Sequence, residues 1–168
     1  MTTQFLNKNK LNQKGFTLIE LLVVIGILAI LLAITLIAIN PARQFGQAND
    51  TARRSAATQI LNAIGQYTAS NGGNLPDSVM NGNYGVGNTT PLALNATNFA
   101  ALCSQLVPNY LPALPVDPNL NDQNGIEVAD CTASTPTWNT GYSILKDANN
   151  RITVIAPNAY SGPIQVTR

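Results

Sequence analysis

The chain has 168 residues, 45% of them apolar, and its nine basic and eight acidic side chains leave a net charge of only +1. That is one domain's worth of chain, and it lacks the many Lys and Arg contacts to phosphate on which electrostatic nucleic-acid binding depends. Histidine is absent, which removes the usual general base, the His-containing triads and the commonest transition-metal ligand, so an enzyme reading ranks last.

Residues 1–15 carry Lys8, Lys10 and Lys14 and no acid. Phe16 to Ile39 then reads FTLIELLVVIGILAILLAITLIAI, with Glu20 as its one charge. A helix over this stretch would rise about 36 Å, enough for a hydrocarbon core of about 30 Å. The lysines before it, with none directly after it, place the N-terminus in the cytoplasm and the remainder on the far side. A buried core helix is the competing reading, but some 130 further residues could hardly wrap so long an apolar rod on every side. A cleaved secretory signal also competes. The run is long for that role, it carries an acid near its start, and Ile37-Ala38-Ile39-Asn40 offers no small-x-small site.

Glu20 is costly where it stands, since a carboxylate at a membrane helix centre costs about 2.5–3.5 kcal/mol and less near an end. No base lies within the run to compensate it. A cut between Gly15 and Phe16 would place a new α-amino group one helical turn from Glu20. The same cut removes all three leading lysines and leaves six basic and eight acidic side chains.

Lys14-Gly15-Phe16-Thr17-Leu18-Ile19-Glu20-Leu21 resembles the class III leader junction of type IV pilins and type II secretion pseudopilins. The resemblance rests on the short basic leader, Gly before the cut, Phe as first mature residue, Glu as fifth, and the apolar run. It implies cleavage after Gly15 and N-methylation of Phe16 by a prepilin peptidase, then polymerisation through the apolar helix. Glu20 would neutralise the Phe16 amino group of a neighbouring subunit. It also implies an assembly ATPase and an inner-membrane platform protein, because drawing such a helix from lipid is uphill and this chain has no nucleotide-binding loop of its own.

Further on, Ala57, Ile60, Leu61, Ile64 and Tyr67 recur at three- and four-residue spacing, which predicts an amphipathic continuation of the helix over residues 40–70. Asn40-Pro41 should kink or break it, and Asn71-Gly72-Gly73-Asn74-Leu75-Pro76 should end it. Residues 71–168 form the expected head. Within it, Asp77 to Pro91 reads as a loop and Asn98 to Val107 as a short helix or turn. Tyr142 to Lys146 and Arg151 to Ala156 read as a hairpin about Asp147-Ala148-Asn149-Asn150, with an edge strand at Ile164 to Thr167. The expected class is α+β, a small antiparallel sheet on the amphipathic half of a long N-terminal helix, in the element order of the pilin-like fold.

Cys103 and Cys131 are the only cysteines, and an even count on the outward side of a membrane favours a disulfide over two buried thiols. Leu114-Pro115-Val116-Asp117-Pro118 looks like the Leu-Pro-x-Asp-Pro turn of major pseudopilins. That likeness brings calcium into view at Asp117, Asn119, Asn121 and Asp122, although the spacing departs from a calcium loop: Asp122 stands where Gly is expected and Val128 where a bidentate Glu should be. The expectation is no resident cofactor, with those four residues as weak metal candidates.

The leading functional expectation is a structural subunit of a homo-oligomeric or mixed filament, a type IV pilus or a secretion-like pseudopilus. Its precursor would sit in the cytoplasmic membrane with its head outside. The opposing one is a solitary single-pass binding domain whose helix stays in lipid with its leader attached.

Overall fold

The computed structural model describes residues 15–85, 87–120, 128, 131 and 138–168. The chain forms two compact units, the residues up to Pro41 and Ala42–Arg168. Lys8, Lys10, Lys14, Asn121 and Asp122 lie outside the described residues.

In the first unit, helix α1 spans Leu18–Ala38. Its 21 residues rise about 31 Å, and none of them is buried. Ile39 leaves the helix with extended backbone at φ −99° and ψ 110°, two residues ahead of Pro41; Asn40, directly before the proline, is itself disfavoured in the helical region. The helix resumes at Pro41, where proline's missing N–H costs nothing in a first turn. The expected interruption is therefore a break between two helices.

Helix α2, Pro41–Ser70, is amphipathic and buries Ala56, Ala57, Ile60, Leu61, Ala63 and Ile64. Tyr67 is half-buried and meets Tyr110 edge-on, with ring centroids 5.8 Å apart. Gly72 and Gly73 end the helix at φ 65° and 91°, and the Gly73 N–H donates back to the Thr68 carbonyl at 2.8 Å, a reversal that needs the left-handed region glycine enters freely.

Helices α3 (Asp77–Met80) and α4 (Leu102–Leu106) are single turns. Strands β1 (Leu92–Asn95), β2 (Asn139–Lys146), β3 (Ile152–Ala156) and β4 (Ile164–Thr167) form one antiparallel sheet in sequence order. The hairpin is as expected, with Lys146 opposite Ile152. Its turn is tied by Asp147, whose carboxylate accepts the N–H groups of Asn149 and Arg151 and the Arg151 Nε at 2.7 Å.

Two expectations are corrected. The stretch expected as loop from Asp77 to Pro91 opens with the turn of α3. Strand β2 starts at Asn139, three residues before Tyr142, because β1 pairs with it from Leu92 opposite Ile144 to Asn95 opposite Asn139. Alternate residues Thr140, Tyr142, Ile144 and Lys146 of β2 are buried, and Ile144, Val154 and Ile164 share one core with Ile60, Leu61 and Ile64 of α2. The fold is α+β, a long apolar N-terminal helix followed by an amphipathic helix packed on a small four-stranded sheet.

Candidate functional site

Gly15 has open space around it, since a Cβ added there meets no atom within 4 Å. Among the described residues nothing calls for glycine at that position. Phe16 follows with 82% of its surface exposed. Thr17 is the N-cap of α1, in extended conformation at φ −79° and ψ 151°.

Thr17 and Glu20 form a capping box. The Glu20 N–H donates to the Thr17 Oγ1 at 3.3 Å, while Glu20 Oε2 accepts the Thr17 N–H at 2.8 Å and the Thr17 hydroxyl at 2.7 Å. A capping box satisfies orphan donors at a helix start, and a carboxylate in the first turn also complements the helix dipole. Thr17 was missed as a partner in the sequence, although Thr-x-x-Glu ahead of an apolar run is the pattern that announces this motif. The bonds it supplies are neutral, and among the described residues no basic side chain pairs with Glu20. Phe16, Ile19, Glu20, Val23 and Val24 line a shallow notch of about 390 Å³. Phe16 and Glu20 are thus brought together around one depression on an otherwise apolar rod.

The head contains a second constellation that the sequence did not announce. Arg53, 1% exposed, donates through Nε to Asp117 Oδ2 at 2.7 Å and through Nη2 to Asp117 Oδ1 at 2.9 Å. Its Nη1 donates to Asp50 Oδ1 at 3.1 Å. The Asp117 hydrogen bonds, assisted by both carboxylate charges, raise the pKa of this guanidinium, and burial opposes them. Asp50 in turn accepts the Tyr160 N–H, the Ser161 N–H and the Ser161 hydroxyl at 2.8, 2.9 and 2.6 Å. The Ser161 hydroxyl is the chief reason its carboxyl is held down at about 2. The network joins α2, the Leu114–Pro118 turn and the loop before β4.

This arrangement bears on the metal candidates. Asp117 already binds Arg53 with both oxygens and accepts the Asn119 N–H at 2.9 Å, and Asn119 Oδ1 accepts the Asn49 amide at 3.2 Å. A calcium ion at Asp117 would have a guanidinium for a neighbour, so the described part of the set does not fit that ion. Among the described residues no three His, Cys, Asp or Glu side chains cluster as metal ligands.

Cys103 and Cys131 are joined in a disulfide with their Cα atoms 5.4 Å apart, within the ordinary range for such a bridge. It ties α4 to the segment ahead of β2.

Residues 10–36 match the family described as the prokaryotic N-terminal methylation motif. Neither the curated proteins nor the solved structures contain a significant match to this chain. The matched stretch covers the Gly15-Phe16 junction, the Thr17–Glu20 box and most of α1. The chain therefore carries a class III leader and methylation motif of the kind typical of type IV pilins and pseudopilins.

Proposed function

We propose that this chain is a structural subunit of a type IV pilus or a type II secretion-like pseudopilus, made as a membrane precursor with its N-terminus in the cytoplasm and its head outside. A prepilin peptidase removes residues 1–15 and methylates Phe16. The mature chain then joins a homo-oligomeric or mixed filament, drawn from the bilayer by an assembly ATPase and an inner-membrane platform protein.

The observation that carries this reading is α1 itself. All 21 residues are exposed, and an apolar rod in that state is stable only in lipid or against other apolar rods. The leader motif supports the second of these as its destination. Glu20 has its local bonds from Thr17 but no countercharge among the described residues, and the free amine of Phe16 on a neighbouring subunit would supply one. At close range in a low dielectric such a pair is worth far more than in water.

Intact-mass measurement of protein purified from membranes tests the processing step. The expected product lacks residues 1–15 and carries one added methyl group; a full-length product rejects the reading and favours the solitary membrane-anchored domain. Glu20→Ala should leave membrane insertion intact and impair polymerisation. Normal fibres from that variant would show that the carboxylate is not the assembly contact.

A further inference from the structure

Among the described residues of Ala42–Arg168, three large apolar side chains stand well exposed: Phe45 at 71%, Tyr160 at 60% and Met80 at 39%. The two most exposed are aromatic, and both lie at the first turns of α2, Phe45 on the helix and Tyr160 on the loop before β4. Phe45 is its fifth residue. Tyr160 lies on the neighbouring position, since a Cβ added to Gly46 would fall 2.5 Å from the Tyr160 Cγ.

Tyr160 is held there by design of the backbone around it. Asp50, one helical turn beyond Gly46, accepts the main-chain N–H groups of Tyr160 and Ser161 as well as the Ser161 hydroxyl. Three hydrogen bonds to a carboxylate fix a loop whose aromatic ring remains mostly in the open. A glycine under that ring lets it approach the helix closely. The core gains little from such a residue, so the gain has to lie outside the head.

Phe45 stands seven residues beyond Ala38, the last residue of α1, and Pro41 to Phe45 are already helical. At 1.5 Å per helical residue and at most about 3.6 Å per extended one, the chain can carry Phe45 no more than about 17 Å from the end of α1. The headgroup layer beyond the hydrocarbon core is about 5–8 Å deep on each side. Tyr and Trp concentrate in that layer, where an apolar ring and a polar tip are both satisfied, and Phe is among the residues that interfacial helices bury at the headgroup–acyl boundary.

We propose that Phe45 and Tyr160 are an interfacial anchor, seated in the phospholipid headgroup layer and holding the start of α2 against the outer face of the bilayer while α1 is in lipid. The anchor rests on the membrane-precursor reading of α1 given above. Its occupant is the lipid interface and not a second copy of the chain, because the patch is small, aromatic and tethered directly behind a membrane-spanning helix.

The test uses the full chain in vesicles of phosphatidylethanolamine and phosphatidylglycerol, with and without phospholipid brominated high in its acyl chains. Phe45→Trp, Tyr160→Trp and, as control, Met80→Trp are compared, with the Trp138 background taken from the parent chain. The expected result is a blue shift and bromine-dependent loss of the added emission for the first two variants and neither effect for Met80→Trp. If both stay unquenched in vesicles from which alkaline carbonate does not extract the chain, the anchor is overturned and the membrane reading stands. A blue shift that grows with protein-to-lipid ratio and ignores bromine would assign the patch to a second copy, also overturning the anchor. Release of the chain by carbonate would overturn the membrane reading and the anchor with it.

Discussion

Arg53 of α2 grips both carboxylate oxygens of Asp117, 64 residues further along the chain, through two hydrogen bonds of 2.7 and 2.9 Å in a site that is almost closed to solvent. The pair fastens the Leu114–Pro118 turn to the helix on which the sheet is packed. Breaking a buried pair by removing one partner strands the other charge.

Arg53→Met should accordingly destabilise the head by about 3–5 kcal/mol, read as a lowered unfolding midpoint in the near-UV signal of Trp138. Lysine at the same position should restore only a part of this, because an ammonium lacks the planar fork that meets both oxygens. Full rescue by Arg53→Lys would mean that charge alone matters there.

Acid should act through Asp50. Its folded pKa of about 2 lies below the ordinary 3.8, chiefly because the Ser161 hydroxyl bonds to its ionised form. The native state therefore binds fewer protons than the unfolded one, and the contribution is complete above about pH 4 and fades as pH falls towards about 2. The stability difference between the parent chain and Asp50→Asn should shrink over that window. A difference that is constant with pH would contradict the assignment.

At the alkaline end, burial pushes Tyr84 and Tyr142 up to about 12 from an ordinary value of 10. Both must be neutral in the folded state, so stability should decline as pH rises from about 10 towards about 12. The two differ in one respect. The Tyr84 hydroxyl donates to the Val79 carbonyl at 2.9 Å, while the Tyr142 hydroxyl is buried with no hydrogen-bond partner among the described residues. Tyr142→Phe should therefore stabilise the head by about 1 kcal/mol and Tyr84→Phe should cost about as much, as chemical denaturation would show.

Loss of the Cys103–Cys131 bridge by paired Ala substitution should cost about 3–4 kcal/mol, as expected for a closed loop of this length. The measurement is the denaturation midpoint with and without reductant. The parent chain should shift on reduction and the doubly substituted chain should not.

Local signals carried much of this into view. The uniform apolar run of Phe16 to Ile39, the three- and four-residue rhythm from Ala57 to Tyr67, and the turn residues between Lys146 and Arg151 each depend on neighbours in sequence. Strand β1 escaped notice because Leu-Ala-Leu-Asn has no marked strand preference and becomes extended only against β2, almost fifty residues away. Arg53 escaped for a related reason. On a helix beside Arg54 and Ser55 it reads as part of a solvated face, and only the fold delivers Asp117 to cover it. The capping box is local and legible in Thr-x-x-Glu ahead of an apolar run, while the charge of Glu20 also points to a distant cation.

The even greasiness of α1 leaves one question of geometry to very few atoms. A cylinder with the same coat on every side lets a sister slide along it or roll around it at almost no change in contact. Leucine and isoleucine can say that two such cylinders should touch, but not at what height or azimuth. Only the carboxylate at position 20 and the hydroxyl at 17 break that symmetry near the tip, so on the filament reading proposed above the axial step of a fibre would take its reference there, from a single turn of helix.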